Sequence, residues 1–385
     1  MIAKLALYKA LDRLLSSFVR VMPRKSINAG NTPKRILVIK LSAMGDSLCL
    51  FPSVRLLSQA FPNAQIEWLA SERANPNLFK SLPFLGAIHV LPNSVLQVVF
   101  YLLSFMAKAS KYDLIVDYDQ YYRISELISA FGNLNAGFEA PLKGGSFAVS
   151  VHYEPLLNEK LMFLKLTESV IRTYGQSPAP YNFQLPELLT NFSPSLQLVN
   201  FAKKIELYDI PILAIYPGSG KNASFRRWPA NNYVSLIKKI KKKYTILIIG
   251  GMDEVELIPY FEGIDGVYLT IGQFTLMELV WLFRNVIDIF AGNDGGLLHI
   301  AESQSTPVVG IFGPALFQKW GSINPHSEAV EYALPCRPCL RNYQGIVPNN
   351  CIYSTVECLT AIKPSQVELA LSRVNKSSVN KVIPK

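Results

Sequence analysis

Several short stretches carry residue types whose spacing suits chemistry. In "LSAMGDSLCL", Asp46 directly follows Gly45, just after a strand-like run, Ile36–Lys40. The loop at the carboxyl end of a strand is where α/β proteins bind ligands. An acid there is either a helix cap or a general base, and position alone leaves both readings open. "YPGSGKNASFRRWP", Tyr216–Pro229, places Gly218 and Gly220 around Ser219, then adds Lys221, Arg226 and Arg227. Glycines let backbone N–H groups approach a ligand, and the cations suit a pyrophosphate. The spacing is not that of a Walker A loop; the plain alternative is an ordinary basic strand-to-helix loop.

A third stretch, "FAGNDGGLLHIAESQSTPVVGIFGP", runs from Phe290 to Pro314. Its strand ends near Gly292, and Asn293 and Asp294 lead into Gly295 and Gly296, which open a helix. A helix N-terminus offers unpaired N–H groups and a positive dipole end to a phosphate. His299 falls on the first turn of that helix; a lone histidine is ordinarily a core or capping residue, and this setting adds a functional alternative. Cys336, Cys339, Cys351 and Cys358 form C-x2-C-x11-C-x6-C, with Cys49 apart. They read either as a tetrahedral all-thiolate site for zinc or iron, or as reduced thiols or a disulfide pair. A cytosolic setting disfavours the disulfide.

These residues need elements to hold them. In the first half, strands are expected at Ile36–Lys40, Gln65–Ala70, Ala87–Leu91 and Leu114–Asp117, with helices between. The second half restarts at Ile212–Tyr216, Thr245–Ile249, Gly266–Leu269, Ile287–Ala291 and Pro307–Phe312. Its helices are expected at Ala230–Lys242, Met277–Phe283 and Gly296–Ser303. Such alternation implies right-handed βαβ units around parallel sheets. The Pro-, Ser- and Asn-rich stretch beginning at Gly175 is the best linker candidate, and 385 residues suit two domains.

Half the chain is apolar, only 17 % is charged, and the formal charge is +10. That combination points to a membrane surface or an anionic ligand. Nucleic acid is disfavoured, because no zinc finger, RNP aromatics or helix-turn-helix pattern is present. The N-terminal "MIAKLALYKALDRLLSSFVRVMPRK" repeats Leu at near-helical spacing among Lys and Arg, an amphipathic helix rather than a signal peptide. It either packs on the protein or lies in a bilayer interface. The apolar run from Val95 to Ala107 is short for a span and reads as a buried or interfacial helix.

In chain order, "ILVIKLSAMGDSLCLFPSVRLL", "YPGSGKNASFRRWP" and "GNDGGLLHIAESQSTPVVGIFGP" resemble the family-9 glycosyltransferases, the lipopolysaccharide heptosyltransferases. The Cys-containing stretch after "FGP" is similar to that family as well. The resemblance implies an α/β GT-B fold, two Rossmann-like α/β/α lobes facing across a cleft. It implies a nucleotide-sugar donor, commonly ADP-heptose, on the C-terminal lobe and a lipid-linked or other glycan acceptor on the N-terminal lobe. Transfer would be inverting and metal-independent, with no catalytic cofactor, at the cytoplasmic face of the inner membrane. Residues 1–30 would be the N-terminal helix, 31–180 the acceptor domain and 181–210 the linker. Residues 211–365 would be the donor domain and 366–385 a C-terminal helix and tail.

By motif position, Asp46 resembles the family's catalytic base. Arg226 stands where a cation faces the donor phosphates, often Lys in the family. Ser219 and Gly220 match donor-loop positions, and Asp294, Gly295, Gly296 and His299 match the donor-binding turn, where many members carry Ser or Thr at Gly295. Glu254 is placed within reach of a ribose. Rival readings are a same-fold transferase with another sugar or a capsule or protein acceptor, and a non-catalytic nucleotide-sugar-binding protein. A binding module needs no base, so Asp46 speaks against the latter. A dinucleotide oxidoreductase is disfavoured because no G-x-G-x-x-G follows the first strand.

Overall fold

Apolar runs such as "ILVI" leave no polar face for water, so they become strands covered on both sides. In the computed structural model, Ile36, Leu37, Val38 and Ile39 are fully buried in β1, Arg35–Ile39. The structure describes residues 31–41, 43–92, 95–140, 143–207, 210–220, 223–348 and 350–374. The amphipathic helix expected over residues 1–30, the tail beyond 374, and Lys221 lie outside the described residues.

The chain divides into two units. The first ends at Phe183 and also takes in Tyr343–Gly345. Beside β1 it holds β2 (Gln65–Ser71), β3 (Ile88–Leu91), β4 (Leu114–Asp117), β5 (Leu134–Glu139) and β6 (Val149–His152). All pairings are parallel, in the order β3-β2-β1-β4-β5-β6. Helices Met44–Ala60, Val95–Ala109, Arg123–Ser129 and Glu159–Thr173 follow strands β1, β3, β4 and β6. On the sheet, Phe51 of the first helix meets Trp68 edge-on at 4.9 Å and Phe79 at 4.6 Å between centroids.

The second unit comprises Gln184–Asn342 and Ile346–Lys385. Its strands are β7 (Ile212–Tyr216), β8 (Thr245–Ile248), β9 (Val267–Leu269), β10 (Ile289–Asn293), β11 (Val308–Phe312) and β12 (Glu328–Glu331). They too are all parallel, in the order β12-β11-β10-β7-β8-β9. In each unit the first strand therefore sits between the second and the fourth, the order of a dinucleotide-binding sheet. Connections leave to opposite sides at that point, which opens a crevice at the carboxyl ends of the two central strands. The pairs that flank it are β1 with β4 and β7 with β10.

Residues 181–210 hold more than a connection. Ser195 caps the helix Leu196–Glu206 by accepting from the Leu198 N–H. Leu185 donates its N–H to Ser303 and accepts from the Gln304 side chain, at 2.8 and 2.9 Å. From Gln184 onward the segment is thus tied into the second unit.

The helix Val95–Ala109 buries Phe105 and Ala109 with Leu69, Leu91 and Tyr112. Phe100 and Leu103 stay 72 % and 60 % exposed. Among the described residues no helix is long and apolar enough to cross a membrane.

Candidate active site

Asp46 is the third residue of the helix Met44–Ala60, whose cap position is held by Ala43 without any side-chain hydrogen bond. Among the described residues its carboxylate accepts no capping hydrogen bond from a backbone N–H. Instead Oδ2 lies 3.2 Å from Nζ of Lys40, the first residue beyond β1. Lys40 is buried, while 18 % of the Asp46 side chain remains open to a solute. Burial raises the pKa of Asp46 and Lys40 lowers it, with Glu159 and Asp119 pushing it up again; the net direction is up.

Residues after β4 meet Lys40 from the other side of the switch point. Gln120 Oε1 accepts from Lys40 Nζ at 3.0 Å, and Asp119 Oδ2 lies 3.9 Å away. Gln120 then donates to Glu159 Oε1 at 3.0 Å, and the Tyr153 hydroxyl donates to Glu159 Oε2 at 2.6 Å. Asp119 accepts from the N–H groups of Leu41, Tyr121 and Tyr122. Burial alone would raise its pKa, but Lys40, Lys143 and these donors hold it below the usual range. Lys143 pairs with Asp117 at 2.7 Å and also donates to the Asp119 carbonyl and to Ser125. Asp117 is pushed up to about 7 by burial, against the pull of Lys143.

In the second unit two loops converge at the β7–β10 switch point. Asn293, buried at the end of β10, donates to the carbonyls of Pro217 and Gly218, both at 2.9 Å. It accepts from the Trp228 N–H and the Tyr233 hydroxyl, also at 2.9 Å. One amide therefore pins both ends of the loop after β7. Within that loop Gly220 takes φ +83°, a left-handed conformation that favours glycine. A Cβ on Gly295 would meet Tyr216 Cε1 at 3.2 Å, so a hydroxyl-bearing residue there would displace the tyrosine ring.

The two arginines are engaged differently. Arg227 donates to Ser219 Oγ at 3.2 Å and to Glu256 at 2.6 Å, and lies 3.9 Å from Glu254. Arg226 Nη1 contacts Asp294 Oδ2 at 3.3 Å, while its buried Nε has no partner. Burial raises the Asp294 pKa, opposed by Arg226. Ser219 donates to the Ala223 carbonyl at 2.7 Å. Glu254 is buried under the loop: Oε1 accepts from Gly220 N–H and Tyr216 hydroxyl, and Oε2 accepts from Gly251 N–H. Oε1 thus organises the loop after β7, while Oε2 closes a capping box at the start of Glu254's own short helix, Met252–Leu257. Gly296 opens the helix Gly296–Ser303, with His299 buried on its first turn.

Sequence reasoning passed over Lys40, Asp119, Gln120, Tyr153, Glu159 and the bridging role of Asn293. A signal was present in "VDYDQ", where acids and an amide follow a strand, and in the polar Lys40 that closes "ILVIK". Cys336, Cys339, Cys351 and Cys358 are free thiols in the second unit. Burial pushes Cys358 up to about 11, Arg337 opposes this, and the other three thiols add to the rise. The four therefore share one neighbourhood, although among the described residues no three such side chains are arranged to hold an ion.

The sequence profile of Glycosyltransferase family 9 (heptosyltransferase) matches residues 109–346. Lipopolysaccharide heptosyltransferase 1 of Campylobacter coli is 23 % identical over 295 residues, 72 % of this chain and 84 % of the relative. The glycosyl transferase family 9 structure from Veillonella parvula has a TM-score of 0.67 at 16 % identity, covering 89 % of this chain and 97 % of its own. TibC of enterotoxigenic E. coli is a dodecameric, iron-containing heptosyltransferase solved in complex with ADP-D-beta-D-heptose. It has a TM-score of 0.53 at 15 % identity, with 89 % and 76 % covered.

Proposed function

Because this chain belongs to glycosyltransferase family 9, we propose that it transfers a heptose, or a related sugar, from ADP-heptose to a lipopolysaccharide-core or other glycan hydroxyl, with inversion. Membership makes it a glycosyltransferase, and its twin Rossmann-like sheets are those of the GT-B fold. The observation that carries the finer function is the setting of Asp46. It is free of capping duty, ion-paired to a buried lysine and still partly open, at the switch point of its sheet.

In this mechanism Asp46 accepts the proton of the acceptor hydroxyl as that oxygen bonds to the anomeric carbon. The bond from that carbon to the nucleoside diphosphate breaks on the opposite face. Arg226, with its unpartnered Nε, and the N-terminus of the helix Gly296–Ser303 offset the charge that develops on the diphosphate. Ser219, Gly220, Asp294 and Gly295 shape the donor loops, and Glu254 serves the donor through the loop it holds. Arg226 and this helix N-terminus together do the work that a divalent metal does in other transferases. The test is a panel of nucleotide sugars with released nucleoside diphosphate as readout. Turnover with ADP-heptose above all other donors is expected; turnover confined to another donor would overturn the sugar assignment.

A lipid-linked acceptor lies at a membrane surface. Phe100 and Leu103, exposed on the helix Val95–Ala109, and the exposed Lys108 and Lys111 further along the chain support peripheral association there. The soft donor set of Cys336, Cys339, Cys351 and Cys358 suits a structural zinc or iron ion, and the iron-containing TibC adds support. Binding would require the four thiols to draw together and lose their protons.

A further inference from the structure

The charged and titratable groups facing Asp46 come from four elements: Lys40 after β1, Asp119 after β4, Tyr153 after β6, and Glu159 on the helix Glu159–Thr173. The single cation among them is buried, and it stands between two carboxylates, at 3.2 Å from Asp46 and 3.9 Å from Asp119. Asp119 has other support, from three backbone N–H groups and from Lys143. Among the described residues Asp46 has no comparable set of donors; its ion pair is with Lys40. Gln120 fixes the ammonium group from a third direction and links it to Glu159.

A base that works in a partly closed site changes charge by one on taking a proton. A lysine devoted to it alone would then be a buried, uncompensated cation, which is costly. On the basis of the base assignment above, we propose that Lys40 is a positioning residue shared between Asp46 and Asp119. Its ammonium holds Asp46 as an aimed anion before transfer, and stays paired with Asp119 once Asp46 carries the acceptor's proton. Glu159, tied to the same lysine through Gln120, acts in the opposite sense on Asp46 by like-charge repulsion.

The signs follow. Loss of Lys40 removes an attraction that favours the ionised base, so the acid limb of kcat/KM moves to higher pH. Loss of the Glu159 charge removes a repulsion, so that limb moves to lower pH. The test is the pH profile of kcat/KM for the full chain with Lys40→Met, Lys40→Arg, Glu159→Gln and Asp46→Asn. Lys40→Met should shift the acid limb upward by about one pH unit or more and regain activity at alkaline pH. Lys40→Arg should return the limb toward its original place, and Glu159→Gln should shift it downward.

Asp46→Asn should stay about 10²-fold or more below the parent at every pH; if it reaches the parent's rate at any pH, the base assignment itself fails. If Asp46→Asn stays low but Glu159→Gln keeps the parent's limb position, and Lys40→Met loses activity equally at all pH, the lysine is merely structural and the proposal is overturned. Should Lys40→Met not fold, the downward shift in Glu159→Gln decides the matter alone.

Discussion

At the scale of single residues, substitutions at two side chains test the proposed base chemistry and donor binding separately. Asp46→Asn keeps the size of the side chain and cannot accept the acceptor's proton. Turnover should fall by about 10²-fold or more, the usual scale for losing a general base, while calorimetric ADP affinity is retained. Equal turnover would return Asp46 to the helix. Arg226 keeps a buried, unpartnered Nε whereas Arg227 is committed to Ser219, Glu254 and Glu256. Arg226→Ala should therefore weaken ADP binding by about 1.5–3 kcal/mol, the range for hydrogen bonds to charged groups. Unchanged affinity would mean that the diphosphate is held elsewhere.

Elements matter through what fixes their ends. The loop after β7 is anchored at Pro217, Gly218 and Trp228 by one buried amide, Asn293. Asn293→Asp substitutes an acceptor for the donor that faces two carbonyls, so it breaks the anchor while keeping the shape. A loss of about 1–3 kcal/mol in ADP binding is expected, and an affinity equal to the parent's would show that the loop is held without it. The helix Val95–Ala109 matters instead through an exposed face. Phe100 and Leu103 cover no part of the core, so replacing both with Ser should leave thermal stability and transfer to a soluble acceptor near the parent's. Sedimentation with anionic liposomes should drop by about tenfold, since each apolar side chain is worth up to a few kcal/mol on burial. Undiminished sedimentation would move the membrane contact off this helix.

Over the whole molecule the same topological device is used twice with different chemistry. One switch point gathers carboxylates around two buried lysines, and the other gathers glycines, an amide and arginines. Transfer that relies on Arg226 and a helix N-terminus should proceed unaltered in EDTA over a short assay. A prompt loss restored by magnesium would contradict it. The cysteine neighbourhood is a separate matter of stability. Protein purified without added metal should carry near-stoichiometric zinc or iron, and Cys339→Ser should lower both metal content and Tm, because such binding is coupled to folding. Protein without metal, whose four thiols titrate freely in the native state, would remove the ion from the molecule.

Local sequence alone determined the loops and the strands that carry them. Uninterrupted apolar runs such as Ile36–Ile39 and Ile212–Tyr216 can satisfy their backbone only in a buried sheet, and glycine pairs at strand ends announce close backbone approach. Strands β5, β6 and β12 escaped notice because "LNAGFE", "VSVH" and "EAVE" mix polar and apolar residues over short lengths. The helix Leu196–Glu206 was likewise hidden by the Pro- and Ser-rich residues before it. What only the tertiary structure decided is the company that side chains keep. Lys40 meets Gln120 and Asp119 some eighty residues away, and through Gln120 it is linked to Glu159, forty residues further still. Such partnerships depend on which strands lie side by side, and parallel pairing joins strands that are distant in the chain. A lysine at a strand end looks the same in sequence whether it faces water or a base; burial between two carboxylates is what gives it a role.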